Sequence, residues 1–434
     1  MNPLGKLYGE YRGALRLFNR EARLFLAGTF LVGVGSNLIS LLFSLFLKRL
    51  GYTEAAIGQV LSLSALGSVI VAAPISFIAA RLPSNRLLTA AAPLAAAAAV
   101  AQAFATGEWG MAAATFCSGA FGMVFTVIYG PFCMRNSGAK ERIHLFAIYN
   151  ALSFGTGVVG SLVAGLIKDS LSALSGSEFF GYRATILIGA AFILAAMRPF
   201  SRIRPREASS TELARADIPA RACMPTSESN RGFLVRAFRI GGRLDADTYV
   251  RVLLPSLLSG LGAGLMIPYL NLYFKKGYGM SDSAIGAVVA VGQVLTFLGL
   301  AASPTFARRL GRRWSIVLTQ AISTPLIIVI AYAGSLPLVI LAYLGRQSLM
   351  NLSGPLQDNF ALELVPPDQQ NLMTVLKNIL WSLAWTISAW LAGAWIYARG
   401  FVPPFTATAI LYASSTTLFW LFFLWPERKA KRYA

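Results

Sequence analysis

The chain runs to 434 residues, of which 56% are hydrophobic and only 13% charged, with a mean hydropathy of +0.61. Those figures exclude a water-soluble globular protein and call for a chain that crosses a bilayer many times. The net charge of +20 would suit a nucleic-acid partner only if the basic residues formed one surface, and here they are scattered between apolar runs.

Residues 1–21 carry Leu4, Leu7, Tyr8, Tyr11, Leu15 and Phe18 on one helical face and Lys6, Arg12, Arg16 and Arg20 elsewhere. The pattern predicts an amphipathic N-terminal segment lying on a lipid surface. A first bundle, 22–200, follows, with apolar runs at about 22–47, 57–80, 87–106, 109–134, 143–167 and 183–200, each near the roughly 20 residues that a membrane helix needs. The first run is too long for a cleavable signal, so insertion relies on the first span itself. Between 201 and 248 the apolar pattern gives way to Arg, Ser, Pro and Glu, the composition of a linker. Inside it Phe233, Leu234, Val235, Phe238 and Ile240 alternate with Arg231, Arg236, Arg239 and Arg243, which predicts a second helix at the lipid surface. Six further runs, at about 250–274, 283–307, 314–334, 337–357, 372–396 and 403–425, make a second bundle, 249–425, and 426–434 is a basic tail. The expected fold is an all-α polytopic membrane protein with twelve transmembrane helices in two pseudo-symmetric six-helix bundles.

Of the 38 Lys and Arg, 29 fall on the side shared by the N-terminus, the linker and the C-terminus. Seven, Lys48, Arg49, Lys168, Arg183, Lys275, Lys276 and Arg399, fall on the other side, and Arg346 and Lys377 lie within spans. This bias makes both termini and the linker cytoplasmic, in a bacterial inner (plasma) membrane. The charge thus records topology and attraction to membrane lipids, with no nucleic-acid partner. Cys117, Cys133 and Cys223 are an odd number split between spans and linker, so no disulfide is expected. One histidine and no Cys/His group at metal spacing predict no metal and no other cofactor.

The bundles repeat one another at an offset of 228 residues: Ala56-Ile57-Gly58 recurs as Ala284-Ile285-Gly286, and Ala164-Gly165 as Ala392-Gly393. At the same offset Phe46 and Lys48 meet Phe274 and Lys276, Arg81 meets Arg309, and Asn150 meets Asn378. One offset held from Phe46 to Gly165 indicates a duplication, and any solute site is expected between the copies. Gly28, Gly33 and Gly35 in the first span correspond in role to Gly260, Gly262 and Gly264 in the seventh, where small residues let helices approach closely. Pro268 predicts a kink in the seventh span.

After the second span the chain reads Ser76-Phe77-Ile78-Ala79-Ala80-Arg81-Leu82-Pro83-Ser84-Asn85-Arg86, and after the eighth, Pro304-Thr305-Phe306-Ala307-Arg308-Arg309-Leu310-Gly311-Arg312-Arg313. Both resemble the cytoplasmic signature of the major facilitator superfamily, Gly-x-x-x-Asp-Arg-x-Gly-Arg-Arg, and the layout of six plus six spans around a long loop resembles that superfamily over the whole chain. The resemblance implies a secondary active transporter working by alternating access, with spans 1, 4, 7 and 10 around the cavity and 2, 5, 8 and 11 partly lining it. Ala80 and Arg308 stand where the signature has aspartate, so a cytoplasmic gate would need other acids. Glu141 beside Arg81, and Asp358 or Glu363 beside Arg308 and Arg309, are the candidates, against the alternative that these are ordinary surface charges. The fourth span has Ser118-Gly119-Ala120-Phe121-Gly122 in place of the mid-membrane arginine of proton-coupled drug exporters. The fifth has Gly155-Thr156-Gly157-Val158-Val159-Gly160 without the antiporter Gly-Pro, and both departures weigh against a drug exporter.

An unpaired charge in hydrocarbon is costly, so a charge inside a span marks a cavity or a partner. Arg346 lies roughly 14 Å deep, counting from Pro337 at about 1.5 Å per residue, and its planar fork suits a carboxylate or phosphate; neutralisation by backbone carbonyls or a structural hydrogen-bond network is the alternative. Gln347 and Asn351 share an adjacent helical face. Lys377 and Asn378 stand in the eleventh span ahead of Trp381 and Trp385, where Lys377 either meets solute or snorkels to water. Asn150, Asn37, Tyr129, Tyr269, Asn271 and Gln293 are further lining candidates. Together they predict a polar, net-positive cavity for a small organic solute, anionic or amphipathic, moved in either direction, export included. Proton coupling would fall to Asp358 or to His144, the only histidine; without them the protein would be a uniporter or a translocator of a lipid-like solute. An intramembrane enzyme would need a nucleophile with its base or a metal group, which the chain lacks, so no enzymatic activity is expected. A monomer is the expected state.

Overall fold

The structure, a computed structural model, describes residues 19–105, 107–136, 139–204, 246–366 and 369–425. The amphipathic segment up to residue 18, most of the linker and the tail from 426, with the helices expected there, lie outside the described residues. Twelve long helices carry the described chain. The first six are α1 (Arg20–Arg49), α2 (Glu54–Arg81), α3 (Ser84–Phe104), α4 (Glu108–Arg135), α5 (Ala139–Ser175) and α6 (Glu178–Ala195), the last followed by a one-turn helix, Met197–Ser201. The second six are α7 (Ala246–Met266), α8 (Asp282–Leu310), α9 (Arg312–Tyr332), α10 (Leu336–Glu363), α11 (Gln370–Arg399) and α12 (Val402–Phe423). Eleven of these segments are long and apolar enough to cross a membrane; α10, with Arg346, Gln347 and Asn351 in its middle, is the more polar exception. Helices satisfy their backbone groups internally, which is what a chain in hydrocarbon requires. Their outward faces carry large apolar side chains such as Ile70, Leu94, Leu341 and Ile410.

Matching sequence at matching places starts matching helices. Thr53 Oγ1 accepts from the Ala56 N–H ahead of α2, and Ser281 Oγ accepts from the Ala284 N–H ahead of α8, each at 3.2 Å. An acid follows each cap, Glu54 and Asp282, in the first turn where the helix dipole favours it. α7 differs from α1. At Pro268 it passes through a 3₁₀ turn, Ile267–Tyr269, before continuing as Leu270–Tyr278, the expected kink.

Packing repeats as well. α1 lies on α5 and α6 as α7 lies on α11 and α12; α2 pairs with α4 as α8 with α10; α3 lies on α4 and α6 as α9 lies on α10 and α12. The halves meet along two seams, α2 against α11 and α5 against α8. Each seam is closed by glycine. A Cβ on Gly165 would lie 2.3 Å from the Asp282 carbonyl oxygen and one on Gly286 2.3 Å from that of Ser161. At the other seam a Cβ on Gly58 would lie 2.4 Å from Tyr269 Oη, and one on Gly393 2.5 Å from the Glu54 carbonyl oxygen.

The largest apolar core spans both halves near the α1–α2 and α7–α8 turns, with Leu38, Leu42 and Phe46 packed among residues that include Tyr269, Phe274 and Ile285. Toward the opposite face, where residues 204 and 246 flank the linker, the cores are separate: one around Phe25, Phe132 and Phe200, others around Phe360 and Phe419 and around Tyr249 and Met373. Buried apolar packing thus joins the halves at the turn face and stays within each half toward the linker face.

Candidate functional site

A cavity of about 430 Å³ lies between the halves. Both supply its amides: Asn37 on α1, Asn271 just past the 3₁₀ turn, Gln293 on α8 and Gln347 on α10. Ser40 and Ser44 of α1 add hydroxyls with no hydrogen-bond partner among the described residues, and Tyr343 and Trp385 add rings. Asn37 Nδ2 donates to the Gly33 carbonyl at 2.8 Å, leaving its own carbonyl oxygen free to accept. Asn271 Nδ2 donates to the Leu41 carbonyl at 2.9 Å, tying the halves together at the cavity edge. Gly157 leaves room for the Gln293 amide, which a Cβ there would approach to 3.2 Å. Among the described residues lining the cavity there is no Lys, Arg, His, Asp or Glu. Such a wall can bond an uncharged solute and offers a buried ion no countercharge.

Ion pairs close the turn face. Asp282, wholly buried, accepts from Tyr182 Oη at 2.9 Å and pairs with Lys275 at 3.0 Å and with Lys168 of the other half. Next to Lys168, Asp169 accepts from the Ser283 backbone N–H at 2.8 Å and from the Ser283 hydroxyl, so an acid of one half caps a helix of the other. Lys168 also pairs with Asp169 at 3.2 Å and sits 4.6 Å above the Tyr182 ring. A second group holds Glu54, 3% exposed, between Lys48 at 2.9 Å and Lys276 of the other half at 2.8 Å. Every acid in these groups has one lysine of its own half and a partner in the other.

The expected site residues scatter more widely than the sequence suggests. Asn37, Asn271, Gln293 and Gln347 converge on the cavity. Arg346 does not line it: 2% exposed, it turns into the C-terminal half, donates to Tyr412 Oη at 2.9 Å and lies 5.6 Å from that ring, with its Nε unpaired among the described residues. Tyr269, wholly buried, donates to the Ala389 carbonyl at 2.6 Å beneath Gly58 and Gly393. Tyr129 stacks on Tyr149 at 3.4 Å between ring centres. Lys377 pairs with Asp358 rather than standing free. Asn351 donates back to the Gln347 carbonyl at 2.8 Å, and Asn378, Trp381, Asn150 and His144 are exposed outside the cavity lining. Of the expected gate, Glu363 pairs with Arg312, Arg308 donates to Thr305 at 3.1 Å, and exposed Arg309 has no partner among the described residues; the side chains of Arg81 and Glu141 lie outside the described residues. Neither cation of the expected net-positive cavity lines it: Lys377 pairs with Asp358, and Arg346 lies within the C-terminal half with a neutral partner, Tyr412.

Sequence reasoning missed the closed face, reading its lysines only as topology. The available signal was Glu54 and Asp282, which share the 228-residue offset and follow Thr53 and Ser281.

The sequence pattern of the Major Facilitator Superfamily matches residues 25–345 and, again, 252–434. No curated protein matches the chain by sequence. Among solved structures, a bacterial homologue of the human lysosomal transporter Spinster, inward-facing and occupied, is similar at a TM-score of 0.71 and 14% identity, over 92% of this chain and 95% of that one. A D-xylose–proton symporter is similar at 0.71 and 14%, over 92% and 97%, and the nucleoside transporter NupG at 0.68 and 15%, over 93% and 98%. At such identities the likeness is one of fold.

Proposed function

The chain belongs to the Major Facilitator Superfamily, and from that premise we propose that it carries a small, uncharged, hydrogen-bonding solute through the central cavity by alternating access. The single observation that carries this reading is the cavity wall itself: amides from both halves, hydroxyls and two rings, with no ionic side chain among the described residues. What speaks against an acidic solute is that neither Arg346 nor Lys377 lines the cavity. The linker face is the open one, and the ion groups of the turn face form a latch. Under the positive-inside reading the linker face is cytoplasmic and this state is open to the inside. The same two states serve uptake or efflux. Asp358, paired with Lys377 and itself well exposed, remains the coupling candidate.

The test is a thermal-shift screen of the purified chain against uncharged polyols and nucleosides on one side and organic anions on the other, followed by flux in proteoliposomes. Uncharged compounds should stabilise the protein. Gln293→Ala and Gln347→Ala should each weaken a hit by about 1 kcal/mol, roughly fivefold. Stabilisation by organic anions alone would overturn the reading.

A further inference from the structure

Inside the N-terminal half a second cavity, of about 250 Å³, opens beside α1. Its walls are Thr29 and Ser36 of α1, Phe125 and Thr126 of α4, and Tyr149 and Ser153 of α5. Asn37 lines this pocket and the central cavity alike, so the two adjoin. The hydroxyls of Thr29, Ser36 and Thr126 make no hydrogen bond among the described residues, whereas Ser153 returns its own to the Tyr149 carbonyl at 3.0 Å. Tyr149 is held flat against Tyr129, which fixes the plane of its ring.

Gly122 is also in the wall. A glycine in a helix interior costs about 0.5–1 kcal/mol relative to alanine, and close helix packing is the usual compensation. It accounts for Gly119, one turn earlier, whose Cβ would lie 1.9 Å from the Ser64 carbonyl oxygen. It does not account for Gly122, whose Cβ would meet nothing within 4 Å. What the absent side chain provides there is open space.

The pocket also breaks the internal symmetry. At the 228-residue offset Gly122 corresponds to Met350 and Ser153 to Trp381. At these two places the C-terminal half carries large apolar side chains where the N-terminal half carries none or a hydroxyl.

We propose that this pocket is a second solute subsite, which takes an uncharged planar ring while the hydroxylated part of the same molecule lies in the central cavity. The inference rests on the uncharged-solute reading of that cavity. Rings stack well on Phe125 and Tyr149, the unpaired hydroxyls bond a polar ring edge, and the absence of a cation or carboxylate among the described residues of the lining selects against a charged ring.

Binding of three probes to the purified full chain tests it: methyl β-D-glucoside, which has no planar ring, and phenyl β-D-glucoside and uridine, which have one. The ring-bearing probes should bind about tenfold tighter than methyl glucoside. Gly122→Leu, which fills the pocket, should abolish that advantage and leave methyl glucoside within about twofold of its wild-type affinity, while Gly122→Ala should keep both the advantage and the thermal stability. If methyl glucoside binds and the rings add nothing, or if Gly122→Leu weakens all three alike, the subsite is wrong and the central cavity stands. If none of the three binds, the uncharged-solute reading falls and takes the subsite with it.

Discussion

The two seams between the halves share a backbone and differ in chemistry. At α5–α8, Gly165 and Gly286 bring the helices together and a buried carboxylate, Asp282, holds lysines of both halves. At α2–α11, the equivalent Gly58 and Gly393 meet around the Tyr269 hydroxyl, and the seam's acid, Glu54, sits at its end beside two half-exposed lysines. Duplication thus preserved the close approach and left the charges free to diverge. Each buried ion of the latch that crosses a seam has a partner to fall back on: Lys168 keeps Asp169, Asp282 keeps Lys275, and Glu54 keeps Lys48. A buried ion left alone would cost several kcal/mol, so fall-back partners let a charged latch open at moderate cost. Lys276, at 55% exposed, needs none, because water can solvate it.

The comparison breaks most visibly at Asp282. Asp282→Asn should remove the ionic half of the α5–α8 seam and destabilise the closed turn face by on the order of 3 kcal/mol, at the low end for a buried pair because Lys168 retains Asp169. Maleimide applied to the turn face of proteoliposomes should then label Ser44→Cys about a hundredfold faster. Labelling at the wild-type rate would mean that Asp282 does not hold that face shut.

Steric substitutions separate geometry from charge. Gly165→Ala and Gly393→Ala place a methyl group 2.3 Å and 2.5 Å from backbone oxygens of the opposite half, an overpacking cost of about 1–3 kcal/mol each. The two variants should raise Ser44→Cys labelling to a similar extent, near tenfold, since the seams have the same spacing. A large disparity between them would place the difference between the seams in their packing rather than their ions.

Those glycines are legible in the sequence: Ala-Ile-Gly and Ala-Gly, the strongest identities in the repeat, prove to be the residues on which the halves close. The layout of helices is legible for the same reason, since apolar length and charge placement are properties of single segments. Orientation is not. Arg346 and Gln347 are neighbours in sequence, and a helix turns about 100° per residue, so one faces Tyr412 inside the bundle and the other the cavity. The latch is hidden because its partners come from helices more than a hundred residues apart, as with Asp169 and Ser283. The second pocket is an absence of side chain at Gly122, and sequence alone gives no sign of whether a neighbour fills that space.

The smallest effect is expected at Lys276. Its ammonium lies 2.8 Å from Glu54, but the side chain is 55% exposed and Lys48 holds the same carboxylate oxygen at 2.9 Å. Solvent screening discounts such a contact to about 0.5 kcal/mol, so Lys276→Met should raise Ser44→Cys labelling only about twofold. Raising the salt to about 1 M, where the Debye length falls to roughly 3 Å, should bring the wild type and this variant together. The same salt should leave a large gap between the wild type and Asp282→Asn, because a buried pair is screened far less. If Lys276→Met opened the turn face as widely as Asp282→Asn, the two groups would carry equal weight and the asymmetry between the seams would have no functional content.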